Sequence, residues 1–345
     1  GYVAAGSIPD LFLQPGTAIR IMTGAPIPPG ADAVVPFEDT DEIQRKASGA
    51  SLGQVAFMQE VPSGTNLRPA GEDLRIGDTV LRSGTILRSA EIGVLASVGR
   101  DRASVLRRPI VAVLSTGDEL LLPGQPPNSG KIYDANSFGI ASAVQRYGGI
   151  PKLLGIARDN FQDTSLKLEE GLSADLLITS AGVSKGDYDF VKDVLMQRGE
   201  IAFWSVRMRP ARPLAFGTLH APDGRQVPHI GLPGNPVSAL VAFEQFCRPA
   251  ILKMLGRTNF TKPTIQAVLR DAIHNFDSRR VYARAVVTKE NGIYYASLTG
   301  PQGSNILTSM SKANGLAICP DDVGEMPAGS TVEVQMLDWP EDIAL

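Results

Sequence analysis

Residues 175–195, DLLITSAGVSKGDYDFVKDVL, run an apolar strand pattern into a turn of small residues and then into a helical pattern. PIVAVLSTGDEL at 109–120 and HIGLPGNPVSALVAFEQF at 229–246 show the same strand-to-small-turn transition, the latter again with a helical pattern behind it. Repeated strand-loop-helix units imply a parallel sheet with helices on its faces, and ligands of such sheets sit beyond the strands' carboxyl ends. The loops there combine Ser, Thr and Gly, which can offer backbone N–H groups to phosphate, with Asp118, Glu119, Asp187 and Asp189. That pairing suits a phosphorylated ligand held partly through a metal ion.

The rest of the chain surrounds this α/β region. At 345 residues it is too long for one ordinary core, so two or three domains are expected. Residues 1–73 read as a β-rich domain, with TAIRIMTG, DAVVPFEDT and VAFMQE as strands around the turn APIPPGA. Between 74 and 108, two short β units precede a helix from Ser89 to Val98, with Ser89 as N-cap. The α/β region spans 109–256; within it NSFGIASAVQRYGG and SLKLEEGL read as helices, and KLLGIARD and IAFWSVRMRP as strands. After the linker GRTNFTKP, TIQAVL, RVYARAVVTKE, IYYASLTG, GLAICP and TVEVQML predict a small β-barrel over 262–345.

Composition narrows the function class. A net charge of −3 argues against broad nucleic-acid affinity, which needs a basic face. Cys247 and Cys319 are the only cysteines, too few for a cysteine zinc site or a disulfide framework, and they read as buried apolar groups in a protein of the reducing cytoplasm. No apolar run approaches the roughly 18 residues of a membrane span, and no signal-peptide pattern opens the chain. The start at Gly1-Tyr2 rather than Met leads us to expect a further N-terminal piece.

Each loop has a bland and a functional reading. Thr116 or Asp118 could cap the element after TGDEL, yet Leu120-Leu121-Leu122-Pro123-Gly124 is not helical, so two acids at a strand end better fit Mg²⁺, which takes oxygen ligands and keeps waters beside phosphate. TSAGVSKGDYD is a flexible connection capped by Asp187 or Asp189, or a phosphate loop offering Ser180, Gly182 and Ser184; it has neither a Walker lysine pattern nor GxGxxG. Pro233-Gly234-Asn235-Pro236 is a structural turn or a set of fixed backbone donors. Arg209 and Arg212 in MRPARP are the best oxyanion candidates, because guanidinium forks match tetrahedral anions and the prolines restrict the segment. His220, His229 and His274 read as surface or structural residues, and no GxSxG elbow supports a serine triad. Metal and electrostatic chemistry is expected rather than covalent catalysis.

In this order, RIMTGAPIPPGADAVVPFED, NLRPAGEDLRIGD, VLSTGDEL, KIYDANS, ITSAGVSKGDYD, FWSVRMRPARPLAFG, GLPGNPVSA and QGSNILTSMSKANG resemble the molybdopterin molybdenumtransferase family, known as MoeA and as the E domain of gephyrin. The resemblance implies a fold with a molybdopterin-binding α/β domain at 109–256, flanked by the β-rich domain, a linking and dimerisation part at 74–108, and the C-terminal barrel. It implies an enzyme that inserts molybdenum from molybdate into adenylylated molybdopterin and releases molybdenum cofactor and AMP. Catalytic positions carried over are Asp73, Glu119, Asp159 and Asp189, the last three also holding Mg²⁺. Substrate positions are Thr23, Arg284 and Ser304, together with the loop residues Ser115, Thr116, Gly117, Ser180, Gly182, Ser184, Pro233, Gly234 and Asn235 and the cations Arg209 and Arg212.

A cytoplasmic homodimer, with possible contact with the adenylyltransferase that makes the substrate, is implied as well, with no nucleic-acid or membrane partner. Many family members have Lys at the positions of Arg209 and Arg212, and usually a Met-Asp-Gly sequence near where this chain begins; its Asp belongs to the family's active site. The competing functions are that adenylyltransferase itself, which needs neither flanking region, and a non-enzymatic molybdopterin-binding scaffold.

Overall fold

Val111, Ala112, Val113 and Leu114 are wholly buried, because the strand that carries them, β1 (Ile110–Thr116), is covered on both faces. The computed structural model describes residues 1–182 and 190–339, and the chain divides into two compact units, Gly1–Asp101 and Arg102–Leu345. Around β1 the second unit builds a six-stranded sheet with β2 (Ile150–Ala157), β3 (Leu176–Ser180), β4 (Gly199–Ser205), β5 (Pro213–His220) and β6 (Gln226–Leu232), ordered β2-β1-β3-β6-β5-β4. Strands β2, β1, β3 and β6 run parallel, whereas β5 is antiparallel to both β6 and β4. The sheet is therefore mixed, and β5 is the strand that the apolar pattern does not pick out. Pro213 opens it and Gly217 interrupts it, two residues of low strand propensity. Gly217 is required there, since a Cβ would collide with the Glu200 carbonyl of β4.

Helices α1 (Asn136–Arg146) and α4 (Pro236–Ala242) cover one face, with Ile140, Val144, Val237 and Val241 against Val111, Val113, Ile178 and Ile230. On the other face, α2 (Phe161–Gly171) and α3 (Phe190–Arg198) bring Leu168 and Leu195 against Leu114, Leu154 and Leu177. Each such side chain contributes about 1.5–3 kcal/mol through removal from water.

This interior also holds His229, opposite Leu177 in the β3–β6 ladder. Its Nε2 lies 3.0 Å from the Thr179 hydroxyl, and its Nδ1 has no partner. Burial disfavours the charged ring and lowers its pKa to about 3. The unfolded chain takes up this proton near pH 6.5, so between about pH 6.5 and 3 the unfolded state binds more protons. Stability should fall with pH across that window, by at most about 1.4 kcal/mol per unit, and be flat in this respect above it. Urea midpoints measured from pH 7.5 to 4.5 should drop less steeply for His229→Gln; equal slopes would assign the acid sensitivity to other groups.

The expected barrel is closed. Its strands are β7 (Thr264–Leu269), β8 (Arg280–Glu290), β9 (Ile293–Leu298), β10 (Gly315–Cys319) and β11 (Thr331–Met336), ordered β9-β7-β11-β10-β8 with β8 pairing back to β9. Ala267, Ala283, Ala285, Ala296 and Ala317 keep its interior narrow. Asn291 and Gly292 both take positive φ, 49° and 82°, as a two-residue hairpin loop between β8 and β9 requires. A short strand from outside the barrel, Met208–Arg209, pairs in parallel with Arg280 and Val281 at the start of β8.

In the first unit, strand structure is sparser than the pattern predicts. TAIRIMTG supplies Arg20–Ile21, paired with Tyr2–Val3; DAVVPFEDT forms a 3-10 turn at Phe37–Asp39; VAFMQE gives a single bridge from Phe57 to Thr40. No strand forms over 74–88. Phe12, Phe37, Phe57 and Met58 are all more than half exposed, so apolar residues here have no second layer to make strands worthwhile. A helix not read from the pattern occupies Glu42–Ser48, where Arg45 pairs with Asp41 and Lys46 with Glu42 one turn away. The expected helix is present as Ser89–Ser97, but Arg88 rather than Ser89 is its cap: the Glu91 carboxylate accepts from the Arg88 backbone N–H at 2.9 Å and from its guanidinium at 2.7 Å.

Candidate active site

The carboxyl ends of β1, β2, β3 and β6 bring most of the expected loops to one sheet edge. Ser115 and Thr116 end β1 and are buried, and Gly117 follows at φ 143° with the Glu119 carboxylate folded over its Cα. Asp118 and Asp159 interlock: each backbone N–H donates to the other's carboxylate, at 3.2 and 3.3 Å. Lys131 donates to the Asp118 carbonyl. The loop after β3 starts from buried Ser180, with Ala181 and Gly182 both at φ 74°. Pro233 and Gly234 follow β6, and Asn235 precedes α4 with Pro236 in its first turn.

Two residues that pattern reasoning passed over hold these loops in register. Asp134 is buried; its Oδ1 accepts from the Ser115 hydroxyl and the Ser137 backbone N–H, each at 3.0 Å, and its Oδ2 has no partner. Asn136 uses one amide nitrogen twice, donating to the Ser180 hydroxyl at 2.8 Å and to the Gly234 carbonyl at 2.7 Å. An acid three residues before a serine at a helix start, Asp134 to Ser137, was the available signal. The network continues to the barrel: the Val237 N–H, at the start of α4, donates to the Ser304 carbonyl at 3.1 Å.

Beside Ser304 lies the least ordinary charge in this unit. Arg284, on β8, is 1% exposed. Its guanidinium donates to Ser309 Oγ at 3.0 Å, to the Gly303 carbonyl at 3.0 Å and to the Pro301 carbonyl at 3.4 Å, all neutral acceptors. Among the described residues no carboxylate pairs with it. Burial lowers its pKa to about 10, leaving it charged at neutral pH. A desolvated cation without a counter-charge is costly by itself and is matched by an anion. Arg284 and Arg209 line one cavity of about 250 Å³ with Pro210, Tyr282 and Gln302. Arg209 is fixed through Nη2 to the His274 carbonyl at 2.7 Å. Arg212 is exposed, bonds Ser205 through Nε at 3.0 Å, and does not line this cavity.

Thr23 and Asp73 belong to the first unit, both exposed, with Asp73 in a hollow it shares with Arg68, Glu72 and Leu74. Ser184, Asp187 and Asp189 lie outside the described residues. Among those described, no three His, Cys, Asp or Glu side chains converge to hold a metal. Glu119 and Asp159 remain exposed carboxylates at the sheet edge, an all-oxygen donor set whose chemistry suits Mg²⁺ with waters and phosphate completing its shell. No helix among the described residues is long and apolar enough to cross a membrane.

Comparison with known proteins covers both units. Residues 2–99 match the MoeA N-terminal region (domain I and II), 112–253 the family described as "probable molybdopterin binding domain", and 266–337 the MoeA C-terminal region (domain IV). Molybdopterin molybdenumtransferase 2 of Mycobacterium tuberculosis is 38% identical over 339 residues, spanning 96% of this chain and 80% of that protein. Molybdopterin molybdenumtransferase of Haemophilus influenzae is 36% identical over 92% of this chain and 77% of its own length. Among solved structures, the molybdopterin biosynthesis MoeA protein from Pyrococcus horikosii superposes with a TM-score of 0.76 at 29% identity, covering 98% of this chain and 80% of that one.

Proposed function

Because this chain belongs to the molybdopterin molybdenumtransferase family, enzymes of molybdenum cofactor biosynthesis, we propose that it takes adenylylated molybdopterin and molybdate and releases molybdenum cofactor and AMP. The observation that carries this reading is Arg284, a buried guanidinium with neutral partners alone, which supports a tetrahedral oxyanion as its complement. On this reading Arg284 and Arg209 hold molybdate, Arg212 and the Ser304 loop complete the binding edge, and Thr23 serves in substrate binding and Asp73 in catalysis as the family resemblance implies.

The sheet-edge loops take the phosphoanhydride. Ser115, Thr116, Gly117, Ser180, Gly182, Ser184, Gly234 and Asn235 supply hydroxyl and backbone donors, Pro233 stiffens the last of these loops, and Asn136 ties Ser180 to Gly234. Glu119 and Asp159, with Asp189, would hold Mg²⁺, which when bound offsets the charge of the departing phosphate. We assign the domains as 1–73, 74–108, 109–256 and 262–345. The enzyme works as a cytoplasmic homodimer, with contact to the adenylyltransferase that makes its substrate.

AMP release from adenylylated molybdopterin, with and without molybdate and Mg²⁺, tests this reading. Release should require both, and Glu119→Gln or Asp159→Asn should lower kcat by about 10²-fold. Consumption of ATP instead would identify an adenylyltransferase, and binding without turnover by the folded protein would identify a scaffold.

A further inference from the structure

The loop between Ile273 and Arg280 presents an aromatic pair that the oxyanion reading does not use. The rings of His274 and Phe276 stack with centroids 5.7 Å apart and planes 16° from parallel, and both residues line the cavity of Arg209 and Arg284. Phe276 is 84% exposed, an unfavourable position for a ring of that size. The residue before it explains how it is kept there. Asn275 is 6% exposed; its N–H donates to the Gly324 carbonyl at 2.7 Å, and its amide donates to the Pro320 and Val323 carbonyls at 3.1 and 3.0 Å. The carbonyl of the same peptide, that of His274, accepts from Arg209 at 2.7 Å. The backbone is thus anchored at the His274–Asn275 peptide and at the Asn275 side chain, between the two rings, and the phenyl ring projects into solvent from that fixed base.

Size decides what it could meet. A cavity of about 250 Å³ holds an oxyanion and a few waters, whereas sites that enclose whole small molecules run from about 300 to 1,000 Å³. A ligand whose reacting end meets an oxyanion held by the arginines must leave its ring system at the mouth, where the aromatic pair stands. We infer that His274 and Phe276 form a stacking platform for the planar nitrogen-heteroaromatic ring of a ligand whose reacting end meets the oxyanion held by Arg209 and Arg284. The inference rests on the proposed function, whose substrate carries two such rings, a pterin and an adenine, and the platform receives one of them. Stacking on an aromatic side chain tolerates either ring and is lost without the π-face.

Calorimetric titration of the full chain with AMP, with pterin-6-carboxylate and with inorganic phosphate tests the platform. Phe276→Leu keeps apolar bulk and removes the ring, and Phe276→Trp keeps a ring; at 84% exposure neither touches the core. Phe276→Leu should weaken one ring ligand by about 10-fold, Phe276→Trp should restore it, and phosphate should bind all three proteins alike. Loss confined to AMP names adenine as the stacked ring, and loss confined to the pterin names that ring. If the wild type binds neither ring ligand, or the leucine variant binds both as the wild type does, the platform is overturned, and intact molybdate-dependent AMP release would show that the proposed function survives without it. If that release is absent from the wild type, the proposed function fails on its own assay.

Discussion

Arg284→Met should lower kcat/KM for molybdate-dependent AMP release by about 10²- to 10³-fold, the loss typical of removing one preorganised donor from a developing or bound oxyanion. The variant should nevertheless fold. The wild-type guanidinium is buried against three neutral acceptors and has no ionic partner among the described residues, so its removal strands no counter-charge. Methionine fills similar length in an adaptable way. Arg284→Lys separates charge from shape: a lysine retains the cation but lacks the planar fork, and should recover part of the activity. The readout is the molybdate dependence of the rate, followed beside the thermal transition. Wild-type kinetics in a folded methionine variant would remove Arg284 from the site, and the oxyanion reading of the cavity with it.

The largest stability effect is expected far from the sheet edge, at the join to the barrel. Lys262 and Glu244 form an ion pair at 2.5 Å with side chains only 5% and 10% exposed, and the Tyr147 hydroxyl donates to Glu244 and accepts from Lys262. Burial pushes the Lys262 pKa down while Glu244 pulls it up, and the net direction is down. Arg248 adds bonds to the carbonyls of Phe260 and Thr261, so the segment leading into β7 is clamped at several points. Lys262→Met would leave a carboxylate buried without its cation, a change that costs about 3–5 kcal/mol. Lys262→Met combined with Glu244→Leu removes both charges and should regain most of that loss. Urea midpoints of the wild type, the single and the double variant measure the difference. A single variant as stable as the wild type would mean that the pair offsets no more than its own desolvation.

How much of this was legible in advance depended on burial. Runs such as VAVLS and LLITS announce β1 and β3 because both their faces are covered and no polar residue is needed. The barrel strands alternate, and the Asn291-Gly292 turn fixes one hairpin, so those five were readable too. Strand β5 was not, since Pro213 and Gly217 have low strand propensity and Gly217 is required by the close approach of β4. The first unit misled for the opposite reason: its apolar residues are spaced as in strands but are not buried together. At the site, acids and arginines were visible as residue types. The roles of Asp134 and Asn136 were not, because each acts through contacts with residues distant in sequence. Arg284 stood out by motif alone; that it lacks a carboxylate partner is a fact of three dimensions.

The two-residue strand Met208–Arg209 belongs covalently to the α/β sheet, between β4 and β5, yet hydrogen-bonds as part of the barrel. The seam between these two bodies is therefore a ladder, not a hinge. Arg209 is paired in register with Val281 on the strand that also carries Arg284, so the spacing of the two guanidiniums is set by backbone register. On the proposed function such an arrangement works as a fixed gauge, admitting an oxyanion by its dimensions, where a pair of arginines on independent loops would close around whatever charge arrived.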